Sequence, residues 1–181
     1  MRRLLDWVVT IGVAVLLVLV FEAEVAKPFK IPSSSMEPTL HCAKPGEWCE
    51  AQFNDRVIAN RLAFRFGAPK RGQIVVFHAP RDACGVGGTF VKRLIGLPGD
   101  SVRERDGRVL VNGRLLDEPY IDPTLRGHET GSWQVPKGSY FFMGDDREHS
   151  CDSRMWGTVP RSALIGPVLA TYWPPTRLSL H

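Results

Sequence analysis

The sequence lacks the signatures by which most hydrolases and metalloenzymes announce themselves. There is no Gly-x-Ser-x-Gly elbow, no His-Glu-x-x-His and no Ser-x-x-Lys, so the nucleophile and zinc-protease arrangements built on those spacings are excluded. No Cys-x-x-Cys or His-x-x-x-His pair occurs, which removes the common zinc spacings, and no metal or other cofactor is expected. Repeats and low-complexity tracts are absent from the 181 residues, so neither a solenoid nor a disordered chain is expected. Basic residues outnumber acidic ones, 23 to 19, but they are scattered and interleaved with acids, so no nucleic-acid footprint emerges. A mildly basic domain lying beside anionic lipid accounts for the same charge.

Long apolar runs are also scarce: there is one, from Trp7 to Phe21, preceded by Arg2, Arg3, Leu4, Leu5 and Asp6. With Leu4 and Leu5 it reaches the lower limit of about 17 residues for a spanning helix. Arginines before it and Glu22 and Glu24 after it place the N-terminus in the cytoplasm and the rest of the chain outside. Cleavage after Ala23 or Ala26 would put Phe21 or Glu24 three residues upstream, against the small-x-small rule, so the run is expected to stay as a single anchor. The expected division is residues 1–25 for the cytoplasmic end and anchor and 26–181 for one extracytoplasmic domain.

Beyond Phe21, short β-branched and aromatic segments alternate with Pro and Gly: 56–59, 73–77, 89–95, 101–103, 108–111, 139–143 and 164–172. This predicts a mostly β protein with an antiparallel core. Asn112-Gly113 between Val111 and Arg114 predicts a hairpin, because a type I′ turn needs positive φ at both central residues. Helix is expected only in the anchor, in a turn after Ser35 and over 61–66. The polar, Pro/Gly-marked stretch 106–135 suits a smaller inserted β cap. Cys42, Cys49, Cys84 and Cys151 fall on the outer side, where thiols pair. Three connectivities are open, and the turn-rich loop between Cys42 and Cys49 favours that bridge.

Two segments stand out chemically. Ser35 lies in Ile31-Pro32-Ser33-Ser34-Ser35-Met36-Glu37-Pro38-Thr39-Leu40, just past the apolar run, and Lys92 lies in Phe90-Val91-Lys92-Arg93-Leu94-Ile95. Strand alternation puts Phe90, Lys92 and Leu94 on one face. A lysine can serve as a base near neutral pH only if its amine loses several units from an unperturbed pKa of about 10.4, which burial among apolar groups without a carboxylate partner achieves. The bland alternative is a lysine whose stem packs while its head reaches water. Among His41, His78, His128, His149 and His181 no triad signature appears.

The Ser33–Leu40 run resembles the nucleophile motif of type I signal peptidases, membrane-bound Ser/Lys endopeptidases that remove signal peptides from exported proteins. Gly72–Phe77 is similar to their next strand, Lys92–Asp100 to their lysine motif and Gly144–Gly157 to their closing motif, in the family's order behind an N-terminal anchor. The resemblance implies Ser35 as nucleophile and Lys92 as general base. It implies an oxyanion hole from Ser33 Oγ and the Ser35 N–H, and Ser150 as the hydroxyl that orients the lysine. Asp152 with Arg154 would be a supporting ion pair, with Asp145 and Arg147 in the same network. Ile31, Pro32, Met36, Leu40, Phe90 and Val91 would form shallow pockets for an Ala-x-Ala substrate. The implied partners are secretory preproteins and the bilayer of a bacterial cytoplasmic membrane, the implied state a monomer. Residues between Leu40 and Phe53, including Cys42 and Cys49, exceed the family pattern, and Asp146 stands where asparagine is common. Two other readings share these features: a self-cleaving repressor-type protease, which would need a DNA-binding domain in place of the anchor, and a non-catalytic anchored β module that binds peptides.

Overall fold

The computed structural model describes residues 2–44, 47–85 and 87–181, with side chains from residue 6 to 19 and from 25 onward within those ranges. Helix α1 (Arg2–Glu24) comes first. Its side chains from Trp7 to Leu19 pack on nothing: Trp7 is 69% exposed and Leu17 64%. Among the described residues no helix is long and apolar enough to cross a membrane, and the flanks of the expected span, 2–5 and 20–24, lie outside the described side chains.

Among the described residues the rest is built from twelve strands: β1 (Ala26–Lys30), β2 (Arg56–Asn60), β3 (Ile74–Ala79), β4 (Gly88–Gly96), β5 (Ser101–Arg105), β6 (Arg108–Val111), β7 (Arg114–Leu115), β8 (Gly131–Gln134), β9 (Ser139–Met143), β10 (Val159–Pro160), β11 (Leu164–Trp173) and β12 (Ser179–Leu180). They form two sheets. The larger has the order β1-β2-β11-β3-β4-β9-β10 with β12 on β11; the smaller has the order β7-β6-β5-β8. The fold is mostly antiparallel β, as the alternation of short strands and turns predicts. The smaller sheet takes in β5, so it begins at Ser101, ahead of the 106–135 stretch in which a cap is expected.

Local chemistry explains the elements. Pro28 sits within β1, which a strand tolerates because β1 is an edge. At the β6–β7 turn Asn112 and Gly113 have φ of 53° and 78°, the pair of positive values the Asn-Gly signal calls for. The sheets meet over a core in which Ile95, Phe141 and Met143 face Val102, Val109, Val111 and Val135. Gly96 lets them close: a Cβ there would stand 2.8 Å from Phe141, Val102 and Val135. Ile31, Met36, Leu40, Val57 and Val76 form a second core along the same face of the large sheet, and Val75, Phe77, Leu94, Tyr140 and Phe142 form a third on its opposite face. The cysteines pair as Cys42–Cys49 and Cys84–Cys151. Short helices α2 (Ala63–Phe66) and α3 (Ser153–Trp156) complete the elements.

Candidate active site

Ser33 is extended, with φ −138° and ψ 156°, and the chain then tightens into a single 3-10 turn over Ser34–Met36. That turn buries Ser34, Ser35 and Met36, and the Ser33 and Ser35 hydroxyl oxygens lie 3.4 Å apart. The turn packs against β4, which carries Lys92 opposite Val75 of β3. Ser33, Ser35 and Lys92 therefore open into one cavity of about 490 Å³. Its walls are Ile31, Pro32 and Met36 on the serine side and Phe90 and Val91 on the lysine side, so five of the six expected pocket residues line it. Leu40 does not. It is fully buried in the core beneath, because the chain has turned inward by then and its N–H donates to the Met36 carbonyl.

Lys92 is 4% exposed. Among the described residues its amine makes no ion pair within 4.0 Å, and burial lowers its pKa to about 8 against the opposing pull of Asp152. The strand alternation holds: Phe90 and Leu94 pack in one core, while Val91 and Ile95 pack in the other two. The Ser150 hydroxyl is buried and has no hydrogen-bond partner among the described residues. It lies close to the Ser35 backbone, since a Cβ on Gly144 would collide with both Ser150 Oγ and the Ser35 carbonyl oxygen.

The supporting charges divide into three separate pairs. Asp152 caps α3, accepts the Gly144 N–H at 3.0 Å and receives Arg154 Nε and Nη2 at 2.9 Å each. Burial opposes ionisation of Asp152, but the Arg154 guanidinium outweighs it and holds the carboxyl below its ordinary range. Asp145 does not join this pair: it binds Arg93 of β4 through Nε at 2.8 Å and accepts from Thr39 at 2.6 Å, fastening the serine turn to the lysine strand. Arg147 pairs instead with Glu118 and donates to the Gly144 carbonyl; it meets Arg154 only through its own carbonyl oxygen. Arg93 lies on β4 and Glu118 in the connection between β7 and β8, so both partners come from segments distant in the chain. Arg154 also reaches Glu104 of β5 and Glu129 in the segment before β8. Sequence reasoning missed Arg93, Thr39, Glu118 and Glu104, whose importance comes from pairing across the chain.

The motif reading also missed the Cys84–Cys151 bridge and His149, which line the same cavity. For metal, one group among the described residues has ligand geometry: Glu37, His41 and Glu50, with ligand atoms within 4.8 Å of one another. Its buried carboxylate is already engaged, Glu37 accepting from the Cys42 and Glu50 N–H groups and bonding His41 Nδ1. That makes it a clamp for the loop after Leu40.

Comparison with known proteins finds relatives of this chain. A family model described as "Signal peptidase, peptidase S26" matches residues 4–173. The "Probable signal peptidase I-2" of a Synechocystis species is 43% identical over 174 residues, covering 94% of this chain and 74% of that protein. "Signal peptidase I" of Leptolyngbya laminosa is 39% identical over 180 residues, covering 97% and 82%. A crystal structure of a signal peptidase I from Enterococcus faecalis aligns with a TM-score of 0.48 and 32% identity, over 56% of this chain and 97% of that one.

Proposed function

Because the chain belongs to the signal peptidase family, peptidase S26, we propose that it is a membrane-anchored serine endopeptidase that removes N-terminal signal peptides from exported preproteins, with Ser35 as nucleophile and Lys92 as base. The observation that carries this reading is the buried lysine opening into the same cavity as the serine hydroxyl, with its pKa lowered by burial. The uncharged amine takes the Ser35 proton as Oγ attacks the scissile carbonyl. The developing oxyanion is met by the Ser35 N–H and by Ser33 Oγ, which already lies 3.4 Å from the attacking oxygen. Lysine ammonium then protonates the leaving amine. The same lysine, neutral again, takes a proton from water, whose oxygen breaks the acyl-serine ester. Ser150 Oγ, buried and with no hydrogen-bond partner among the described residues, is suited to accept from Lys92 and fix its rotamer.

Substrate selection follows from strand edges. β4 pairs with β9 only from Arg93 onward, so Gly88–Lys92 has one free edge, and β1 ends the sheet on the far side of the cavity. An extended preprotein segment adds a strand between them, and the apolar walls formed by Ile31, Met36, Phe90 and Val91 accept small side chains such as alanine. Helix α1 supports the anchor: from Trp7 to Leu19 its side chains, Thr10 apart, are apolar, and they are exposed all round, a pattern suited to lipid. With the arginines inside, residues 26–181 form the extracytoplasmic domain, with the cap around 106–135, at a bacterial cytoplasmic membrane.

The test is cleavage of a secretory precursor by the detergent-solubilised full chain, followed by N-terminal sequencing of the product. The product is expected to begin immediately after an Ala-x-Ala site, and Ser35→Ala is expected to abolish cleavage and labelling by a serine-directed acylating inhibitor. Retained cleavage by Ser35→Ala would remove the serine from the reaction and leave a peptide-binding module or another nucleophile.

A further inference from the structure

We propose that Trp48, carried on the loop closed by the Cys42–Cys49 bridge, is a specificity-determining residue that reads the substrate just downstream of the scissile bond and favours an aromatic or large apolar side chain there. This rests on the Ser35 and Lys92 assignment above.

The indole of Trp48 stacks on the His149 ring, with centroids 4.1 Å apart and planes 21° from parallel. His149 in turn lines the cavity shared by Ser35 and Lys92. Its position is fixed from below: the Asp146 carboxylate accepts the His149 N–H at 3.0 Å and contacts Nδ1 at 3.1 Å, and the Asp146 N–H donates to the Ser35 carbonyl at 3.3 Å. One continuous set of contacts thus runs from the backbone of the nucleophile to the indole.

That route ties the stack to Ser35 through Asp146, while Phe29 and Lys30 reach the cavity from the segment that leads into Ile31. A substrate whose upstream segment lies between the 29–33 segment and the start of β4 must pass its downstream residues over Ser35 toward His149. There it meets Trp48, 67% exposed and committed to the protein on the His149 side. Such an aromatic surface stacks well against another ring or an aliphatic side chain and gains little from a hydroxyl. The loop is suited to hold it: the disulfide closes residues 42–49, and the buried Glu37 carboxylate takes the N–H groups of Cys42 and Glu50 at the two ends. Those residues lie in the stretch that departs from the family pattern, so the preference would be a property of this chain.

The test uses the full chain in detergent and preprotein substrates that differ only in having Phe or Ser at the first, second or third residue after the cut. The wild type is expected to show a higher kcat/KM for Phe at one or more of these positions. Trp48→Ala should lower kcat/KM on that Phe substrate by about two- to tenfold, the range one aromatic contact supplies, and leave the Ser substrate within about twofold. Trp48→Phe should keep most of the preference. Equal losses on both substrates would mean the stack only braces the cavity wall, and an unchanged ratio would mean it does not touch substrate; either overturns the proposal. A wild type that cuts neither substrate would bring down the peptidase assignment itself, and this inference with it.

Discussion

Replacing Lys92 with methionine separates what the fold gains from what the chemistry needs. Methionine keeps most of the stem length and removes the amine. A decrease from the ordinary lysine value of 10.5 to about 8 on folding means that the unfolded chain holds this proton more tightly than the folded one. At ~1.4 kcal/mol per pH unit, the buried amine therefore costs the fold roughly 3 kcal/mol at neutral pH. The sign is fixed by the order of the two values: below about 8 both states are protonated and the cost is complete, between about 8 and 10.5 the wild type gains stability as pH rises, and above that the cost is gone. Lys92→Met should thus be inactive and yet more stable than wild type at pH 7, by up to roughly 3 kcal/mol, with the advantage fading toward pH 10.5. Urea unfolding of the full chain in detergent, followed by tryptophan fluorescence at pH 7, 8.5 and 10, measures this directly. A variant that is less stable at pH 7, or whose stability gap does not change with pH, would refute the claim that burial lowers the Lys92 pKa.

Two more outcomes follow from the same geometry. Since only neutral Lys92 can accept the serine proton, kcat/KM should rise about tenfold per pH unit on the acid side and level off near pH 8; a flat profile between pH 6 and 8, read with a fluorogenic peptide, would contradict a lysine base. Gly144→Ala drives a methyl group into Ser150 Oγ and the Ser35 carbonyl oxygen, and because one of these is backbone, the site must distort. It should lose about 1–3 kcal/mol in thermal or urea unfolding and at least tenfold in turnover.

The sequence carried information wherever chemistry is local. The Asn112-Gly113 turn and strands β2, β3, β4, β5, β6, β9 and β11 were legible from turn residues and alternation, and the placing of Phe90 and Leu94 in one core, with Val91 and Ile95 in others, follows from period two. Spacing alone favoured the Cys42–Cys49 bridge, but nothing local distinguished Cys84–Cys151, whose partners lie 67 residues apart. β1 was missed because Lys27, Pro28 and Lys30 read as a linker after the apolar run; pairing with β2 supplies the strand that its own composition does not. Leu40 was placed in the pocket by resemblance to the family, while the turn at Ser34–Met36 sends it into the core. The Arg93–Asp145 and Arg147–Glu118 pairs join positions 52 and 29 residues apart, which no motif spacing encodes.

Those long-range pairs bear on the lysine itself. Asp145, Asp146 and Asp152 all raise the pKa of Lys92, and three free carboxylates near one amine would keep it charged. Each is instead engaged elsewhere: Asp152 by Arg154, Asp145 by Arg93, and Asp146 by the His149 N–H and ring. The Arg154 charge itself pushes Lys92 downward, partly cancelling the Asp152 carboxylate between them. Desolvation can then dominate, although the site is rich in acids. The buried ion pairs are weak evidence of stability, since removing two charges from water costs about what their attraction returns. Their clearer consequence is electrostatic: they let a carboxylate-lined turn hold the serine backbone and cap α3 without locking a proton onto the base beside it.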